Sequence, residues 1–160
     1  MRIGTGYDLH PLREGRELVL GGVRIDHATG LDGHSDADVL THAVIDALLG
    51  AAGLGDIGAH FPPSDARYKG VSSLGLLSEA ARVIANGGYR VINIDSTVIA
   101  QAPMLHPHVA EMAHNLARAL GLERDAVSVK ATSPEGLGAL GREQGIAALA
   151  VALIEETGHR

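Results

Sequence analysis

Two hydrophobic periods alternate along this chain, and no other feature of the sequence constrains the fold as strongly. Residues 2–10 carry apolar side chains two positions apart, which is the spacing of a strand. The next long segment, which ends at about Ala52, repeats apolar residues at the three- and four-residue spacing of a helix face. This alternation predicts an α/β or α+β fold in which a mixed sheet has helices packed on one face.

Later segments continue the pattern. Gly21 and Gly22 separate two short apolar runs and predict a hairpin over 17–20 and 23–25. Further helices are expected at 73–86 and 107–120, strands at 89–99 and 127–131, and a loop at 53–70. Residues 145–156 are ambiguous, because their Ala and Leu content is typical of a helix whereas the apolar run also suits a buried strand.

Length and composition exclude several classes of protein. The chain has 160 residues with no internal repeat or linker, so a single domain over 1–160 is expected. Cysteine is absent, which excludes disulfides and thiolate metal ligands. With 13 basic and 19 acidic residues the net charge is −6 and no basic tract occurs, so nucleic acid is not expected as a partner. No apolar segment has the length of a membrane span, and the first ten residues lack the apolar run of a signal peptide. We therefore expect no membrane association and a cytoplasmic location.

Asp8, His10 and His42 form a candidate metal site. Asp8 and His10 are two positions apart on a predicted strand, so their side chains point to the same face. His42 lies in the first predicted helix, which would pack on that sheet. One carboxylate and two imidazoles suit Zn²⁺ and leave a fourth position for substrate or water. Asp38 and Asp46, one turn to either side of His42, are candidates to accept its second ring N–H.

The same spacings allow two other interpretations. An aspartate two positions before a histidine is frequent by chance in a chain with nine histidines. His42 and Asp46 could also form a buried hydrogen-bonded pair that holds no ligand at all. Spacing does not separate these interpretations from a metal site.

The start of the first helix is a candidate anion site. His34 stands where free backbone N–H groups and the helix dipole favour a phosphate. Ser35 or Asp36 can serve there simply as the helix cap. Capping and phosphate binding do not exclude each other.

Two further segments carry polar residues in loops. Residues 56–65 form a long loop that two prolines stiffen. Ordered loops of this kind often carry functional residues. Thr132, Ser133 and Glu135 follow a predicted strand, at the end where α/β sheets commonly bind ligands. A carboxylate beside phosphate-binding hydroxyls is suited to Mg²⁺, although the proline at 134 also fits a simple helix N-terminus.

A series of short motifs spans nearly the whole chain. Those around the metal candidates are Arg2-Ile3-Gly4, Asp8-x-His10, Gly21-Gly22-Val23, His34-Ser35-Asp36-x-Asp38, His42 and Asp46-Ala47-Leu48-Leu49-Gly50. Those that follow are Gly55-Asp56-Ile57-Gly58, Phe61-Pro62, Lys69-Gly70, Ala100-Gln101-x-Pro103, Pro107-His108, Val129-Lys130-Ala131-Thr132 and Gly141-Arg142. In this order they resemble the family of 2-C-methyl-D-erythritol 2,4-cyclodiphosphate synthases of the non-mevalonate isoprenoid pathway.

The resemblance implies a specific reaction. The family converts 4-diphosphocytidyl-2-C-methyl-D-erythritol 2-phosphate into the cyclic diphosphate and CMP, and it does so by attack of the 2-phosphate on the β-phosphorus. It is a metal-dependent phosphorus–oxygen lyase that forms a homotrimer, with the sheets facing the three-fold axis and the active sites between adjacent subunits.

The resemblance also implies roles for individual residues. Asp8, His10 and His42 match the ligands of one Zn²⁺ per subunit, Glu135 matches the ligand of a Mg²⁺ or Mn²⁺ that binds with the substrate diphosphate, and His34 and Ser133 match transition-state stabilisers. The positions that match the loop holding the methylerythritol phosphate are Asp56, Ile57, Gly58, Phe61, Pro62, Pro63, Ser64 and Asp65, and Ser35 is an expected substrate contact as well. Those that match the cytidine pocket are Ala100, Gln101, Ala102, Pro103, Met104, Leu105, His106 and Thr132, and Arg142 is a further expected substrate contact.

Several positions depart from the family pattern. Met104 stands where many members carry lysine, which removes one positive charge near the nucleotide. Ser133 replaces a common threonine and keeps the hydroxyl. Ala139 and Gln144 replace larger or charged residues beside the cavity on the family's three-fold axis, which puts binding of an isoprenoid diphosphate there in doubt.

Two other functions are compatible with these residues. A zinc phosphohydrolase would use the open metal position to activate water, and a non-catalytic trimer would use the metal for stability alone. Solvent oxygen in the product would mark the phosphohydrolase, and complete absence of turnover would mark the non-catalytic trimer.

Overall fold

A mixed five-stranded sheet is the centre of the structure, which is a computed structural model and describes residues 1–158. Its strands are β1 (Arg2–Glu14), β4 (Thr29–Leu31), β5 (Tyr89–Ile99), β6 (Val127–Thr132) and β7 (Gly145–Glu156), in the spatial order β4-β1-β7-β5-β6. Only β5 and β6 run parallel; the other neighbours are antiparallel. The remaining two strands, β2 (Leu18–Leu20) and β3 (Val23–Ile25), form a separate hairpin.

The helices form one layer against this sheet. The long ones are α1 (Val39–Ala52), α3 (Ser73–Asn86) and α4 (Val109–Leu120); α2 (Ile57–His60) and α5 (Gly138–Gly141) are single turns. Helix α1 packs on β1 and β7, α3 packs on α1 and β5, and α4 packs on β6. The fold is therefore a single-domain α+β fold with its core between one sheet face and the helices, as the sequence predicts. Within residues 1–158, every helix is too short or too polar to cross a bilayer.

Strand β1 approaches helix α1 unusually closely. A Cβ placed on Gly4 would lie 2.0 Å from the carbonyl oxygen of Ala47, and one on Gly6 would lie 1.9 Å from that of Ala43. Both distances are far below van der Waals contact, so only glycine permits this packing. The close approach sets the distance between the residues that follow on β1 and those on α1.

The opposite face of the sheet is open and apolar at its centre. Residues of β1 and β7 that point away from the helices are exposed: Ile3, Tyr7, Leu9, Leu149 and Val151. Ile3 is 70% exposed and Val151 44%. An exposed apolar patch on a sheet face is typical of a protein–protein contact.

Most predicted elements are confirmed, with several local corrections. The hairpin and the elements at 73–86 and 89–99 lie where the pattern predicts them, and 107–120 is a helix from Val109 preceded by one 3₁₀ turn. The ambiguous segment 145–156 is a strand, because it pairs with both β1 and β5. The loop 53–70 contains α2 and a 3₁₀ turn at Ala66–Tyr68, and β4 was not predicted at all. The segment after β6 is not a helix N-terminus, since Glu135 has a positive φ of 54°.

Candidate metal centre and substrate cavities

Three ligand atoms from two elements meet at one point. Asp8 and His10 lie on β1 and His42 lies on α1. The Asp8 Oδ2 atom is 2.9 Å from His10 Nε2 and 3.0 Å from His42 Nδ1, and the two nitrogens are 3.2 Å apart. Ligands at ordinary zinc distances in tetrahedral geometry are about 3.3 Å from one another. The three atoms are therefore spaced as a small divalent cation requires.

The hydrogen bond of the His10 ring also fits a metal ligand. Its Nδ1 lies 3.0 Å from the backbone carbonyl oxygen of Asp32, which can only accept a hydrogen bond. Nδ1 therefore donates its proton to the Asp32 carbonyl, and a cation bound between Nε2 and the Asp8 carboxylate would take the lone pair of Nε2. Acceptor atoms that converge in this way fit a cation, so the residues present suit a metal ion.

Charges within the cluster shift the two pKa values on β1. Partial burial acts to raise the pKa of Asp8, but hydrogen bonds and charge attraction from His10 and His42 outweigh burial and hold it far below its usual value. Burial likewise acts to lower the pKa of His10, and the hydrogen bond and charge of Asp8 raise it instead. Both shifts show that the carboxylate favours positive charge at this point.

The far side of the His42 ring faces two hydroxyl groups. Its Nε2 is 2.9 Å from Ser73 Oγ and 3.0 Å from Ser35 Oγ, and both serines are buried. Asp38 and Asp46, the partners that the sequence suggested, are wrong for this role. The Asp38 carboxylate accepts from the backbone N–H groups of Gly21 and Gly22 and from Thr41.

The remaining candidate partner of His42 serves the neighbouring loop. Asp46 Oδ1 accepts a 2.7 Å hydrogen bond from the backbone N–H of Ile57, and therefore ties the start of α2 to α1. Burial raises the pKa of Asp46. A buried His42–Asp46 pair without ligand is thus not what the structure contains.

The cap of α1 is also different from the one expected. Asp38, rather than Ser35 or Asp36, is the N-cap, since its carboxylate accepts the Thr41 N–H at 3.0 Å. Asp36 instead contacts the start of α3, where its Oδ2 accepts the Ser73 N–H at 2.9 Å. Burial raises the pKa of the Asp38 carboxyl, which is fully enclosed.

The three ligand atoms open onto a cavity of about 340 Å³. Its walls come from β1, α1, the loop before α1, the segment around α2, and α3. The lining residues are Asp8, His10, His34, Ser35, His42, Ile57, Gly58, Phe61, Pro63, Tyr68 and Leu76. The cavity therefore combines the candidate metal ligands with a histidine and a partly apolar wall.

A second cavity lies at the end of β5 and β6 and has a volume of about 340 Å³. Its walls are Ala100, Gln101, Ala102, Pro103, Met104, Leu105, His106, Ala131, Thr132 and Ser133. Gln101 Oε1 accepts the N–H of Gly136, and Ser133 Oγ accepts the N–H of Glu135, both at 2.9 Å. These bonds connect the two segments of the wall and hold the exposed Glu135 beside it.

Known proteins resemble this chain over nearly its full length. Residues 1–155 match the YgbB family. The chain belongs to the YgbB family. A 2-C-methyl-D-erythritol 2,4-cyclodiphosphate synthase of Syntrophomonas wolfei is 63% identical over 156 residues, which cover 98% of this chain and 99% of that protein.

Two solved structures extend this comparison. The bifunctional IspDF of Campylobacter jejuni matches with a TM-score of 0.93 and 42% identity over 97% of this chain and 42% of that protein. A 2C-methyl-D-erythritol-2,4-cyclodiphosphate synthase described as bound to CDP matches with a TM-score of 0.88 and 38% identity, over 96% of this chain and 100% of that one. The resemblance drawn from the motifs is confirmed, and the activity of this YgbB family member is that of the synthase.

The expected site residues fall into three groups. The first, Asp8, His10, His34, Ser35, His42, Ile57, Gly58, Phe61 and Pro63, lines the metal cavity. The second, Ala100 to His106 with Thr132 and Ser133, lines the other cavity. The third lines neither and comprises Asp56, Pro62, Ser64, Asp65, Glu135 and Arg142.

Members of the third group have other contacts. Asp56 caps α2 by accepting the Ala59 N–H at 2.8 Å. Asp65 pairs with Arg67, which lowers the pKa of its carboxyl through that hydrogen bond. Arg142 and Glu135 are exposed on the segments around α5.

In this YgbB family member, sequence reasoning missed two residues of the metal cavity and one residue behind it. Tyr68 and Leu76 line its wall, and Ser73 contacts His42 from behind. Only Ser73 had a signal in the sequence, because it stands at the start of a predicted helix where a hydroxyl is common. Its contact with a histidine 31 positions away could not be inferred locally.

Proposed function

We propose that the chain closes the cyclic diphosphate of 4-diphosphocytidyl-2-C-methyl-D-erythritol 2-phosphate as a metal-dependent phosphorus–oxygen lyase. An oxygen of the 2-phosphate forms a bond to the β-phosphorus, and the bond from that phosphorus to the oxygen bridging to the α-phosphate breaks. CMP leaves with that oxygen. The nucleophile is already an anionic phosphate oxygen, so no side chain has to remove a proton.

The observation that carries this proposal is the convergence of Asp8, His10 and His42 on one point beside a cavity. We assign Zn²⁺ to these residues and Mg²⁺ or Mn²⁺ to Glu135, since two imidazoles with a carboxylate suit the former and a lone carboxylate beside phosphate suits the latter. Such ions, when bound, withdraw charge from the phosphates and from the departing CMP.

The protein itself supplies position and hydrogen bonds. His34 lines the metal cavity and would donate to a phosphate oxygen, as Ser133 would at the other cavity. Ile57 and Gly58 line the cavity on the side that Asp46 holds against α1, which suits them to enclose the methylerythritol end. The adjacent residues Asp56 and Phe61 to Asp65 complete this loop.

The second cavity is assigned to the cytidine moiety, with Ala100 to His106 and Thr132 as its wall. Support comes from the similar synthase described as bound to CDP. Met104 is 79% exposed at its rim and offers no charge to the phosphates. Arg142, exposed near α5, is assigned to the substrate phosphates from that side.

A homotrimer is the proposed functional unit, with the open sheet faces around the three-fold axis. The exposed apolar residues of β1 and β7 support it, because such a face is stabilised by burial between copies. The two cavities have no lining residue in common, which suits a site completed by two neighbouring subunits. We also propose that 1–160 is one synthase domain; the cytoplasmic location stays a prediction.

Incubation of the purified protein with the cytidylylated 2-phosphate and Mg²⁺, in ¹⁸O-labelled water, tests the reaction. Mass analysis is expected to show CMP and the cyclic diphosphate, both without label. Labelled or linear product would instead indicate a phosphohydrolase. His42→Ala is expected to lose bound zinc and about 100–1,000-fold in turnover, as for removal of a principal electrostatic group. The exposed His114→Ala on α4 is the matched control and keeps both.

A further inference from the structure

Ser73 is the closest contact of the His42 ring on the side away from the metal cluster. Its Oγ lies 2.9 Å from His42 Nε2, and the serine is completely buried. On its other side the same Oγ is hydrogen-bonded to Asp36 Oδ1. The His42 ring, the Ser73 hydroxyl and the Asp36 carboxylate therefore form a hydrogen-bonded series.

The carboxylate of Asp36 determines which group donates in each of these two hydrogen bonds. An aspartate carboxylate only accepts, so the hydroxyl proton of Ser73 points to Asp36. The Ser73 oxygen then has only lone pairs left for His42, and His42 Nε2 must be the donor. With a cation bound between Nδ1 and the Asp8 carboxylate, the ring would keep its single proton on Nε2 for Ser73 and give the lone pair of Nδ1 to the cation.

Ser35 does not decide the tautomer in the same way. Its Oγ lies 3.0 Å from His42 Nε2, accepts the Ala37 N–H at 3.2 Å and is 3.4 Å from Ser73 Oγ. No carboxylate fixes its proton, so its hydroxyl can rotate to suit either tautomer of His42. The direction comes from Ser73 and Asp36.

The position of Ser73 is itself fixed by secondary structure. It is the first residue of the 14-residue helix α3, and its backbone N–H donates to Asp36 Oδ2 at 2.9 Å. One carboxylate thus holds both the N–H and the hydroxyl of the same residue. Helix α3 packs on α1, which carries His42, so the contact is part of the helix layer.

We propose that Ser73, oriented by Asp36, is a positioning residue that keeps Nδ1 of His42 available as a metal ligand. The inference rests on the proposed zinc site. Partners behind metal-binding histidines fix ring orientation and tautomer, and their loss commonly weakens metal binding about 10–100-fold. A carboxylate that acts through an intervening serine fulfils the same requirement as a direct carboxylate contact.

Zinc affinity, measured by competition with a chromophoric chelator, tests this role without substrate. Ser73→Ala is expected to raise the zinc dissociation constant about 10–100-fold. Asp36→Asn is expected to change it in the same direction by a smaller factor, because an amide can donate as well as accept. Ser72→Ala is the matched control: Ser72 is the exposed neighbour at the same helix start and makes no side-chain cap, so affinity should stay within about twofold.

A spectroscopic measurement separates positioning from general loss of structure. In the NMR spectrum of the zinc-loaded protein, His42 should show a proton on Nε2 that exchanges slowly with solvent, because the buried Ser73 hydroxyl accepts it. Ser73→Ala should make this proton exchange faster, while the thermal melt reports whether the fold is kept. Should Ser73→Ala not fold, Asp36→Asn gives the same two readouts.

The outcomes are distinct. Tight zinc binding by the wild type that is unchanged in both Ser73→Ala and Asp36→Asn overturns the positioning role and leaves the proposed function standing. A wild-type protein that binds no zinc overturns both. A changed zinc affinity with unchanged exchange of the His42 Nε2 proton also contradicts the role, since Ser73 would then act only through packing.

Discussion

Asp38 joins three parts of the chain through one buried carboxylate. It caps α1 through Thr41 and accepts the backbone N–H groups of Gly21 and Gly22 from the turn of the β2–β3 hairpin. The Asp38 side chain is not accessible to water, so the carboxylate and its three partners can satisfy their hydrogen bonds here only with one another. The cap therefore also fixes where the hairpin sits against the helix that carries His42.

Asp38→Ala should lower the free energy of unfolding by about 2–5 kcal/mol, from the lost cap and from N–H groups left unpaired. Chemical denaturation measures this. The exposed Asp26→Ala, on the same hairpin, is the control and should change stability by less than about 0.5 kcal/mol. Equal effects of the two substitutions would show that the bonds of Asp38 contribute nothing.

The partly buried carboxyl of Asp46 makes the free energy of unfolding depend on pH. Because burial raises its pKa, the folded state binds the proton more tightly than the unfolded state does. The resulting stabilisation is present at low pH and is lost as pH rises from about 4 through the raised pKa. Asp46→Asn keeps an acceptor for Ile57 and removes the titration.

The stability of Asp46→Asn relative to the wild type should therefore rise between about pH 4 and pH 7, as measured by urea unfolding of the metal-free proteins. Near the lower limit the two should be similar, which serves as the internal control. A difference that stays constant or falls across this range would contradict the shift.

At the scale of elements, β1 and α1 bring the ligands together because they touch through glycines. The Cβ distances at Gly4 and Gly6 leave no room for a methyl group. Asp8 and His10 follow on the same strand, and His42 is adjacent to Ala43, the residue that Gly6 contacts. The metal geometry thus depends on how closely a strand and a helix approach.

Gly6→Ala should push β1 away from α1, at a cost of about 1–3 kcal/mol or more, and should weaken zinc binding as well. Gly75→Ala is the matched control, since Gly75 lies exposed within α3 with open space at its Cβ. That substitution should stabilise the protein by about 0.4–1 kcal/mol. Full zinc affinity in Gly6→Ala would show that the helix–strand distance does not set the site.

Local patterns predicted these elements unevenly, for physical reasons. Asp8 and His10 share a face because the strand period is two, so the ligand pair was predictable from spacing. Strand β7 was not, because an alanine-rich run has helical propensity and becomes a strand only by pairing on both edges. The cap of α1 was misassigned because Ser35, Asp36 and Asp38 all suit a cap, and the hairpin turn, distant in sequence, selects Asp38.

For the whole molecule, the open sheet face is an apolar surface formed by exposed side chains of β1 and β7. Val151 lies at its centre, between Thr5 of β1 and Asp95 of β5. A carboxylate placed there would lie beside the Asp95 carboxylate and lose its contact with water in any assembly that buries this face. If the two cavities complete one site across the proposed interface, loss of the assembly should also reduce turnover.

Val151→Asp should convert the proposed trimer into monomers and reduce turnover by at least about tenfold, because an unpaired charge would be buried at the interface. Sedimentation velocity measures the assembly. Glu111→Lys, on the exposed side of α4 in the helix layer, is the control and should leave the trimer intact. A trimeric Val151→Asp protein would place the interface elsewhere.

The alternation along β1 has one more consequence. Even positions 8 and 10 turn the carboxylate and imidazole toward the helices, whereas odd positions 7 and 9 turn Tyr7 and Leu9 outward. Sliding β1 by one residue against β7 would exchange the two sets, so that ligands would face outward and bulky side chains would collide with α1. A shifted register would therefore be unfavourable on both faces of the sheet. Only the observed pairing of Arg2 to Pro11 with β7 places the ligands toward the helices and the bulky side chains outward.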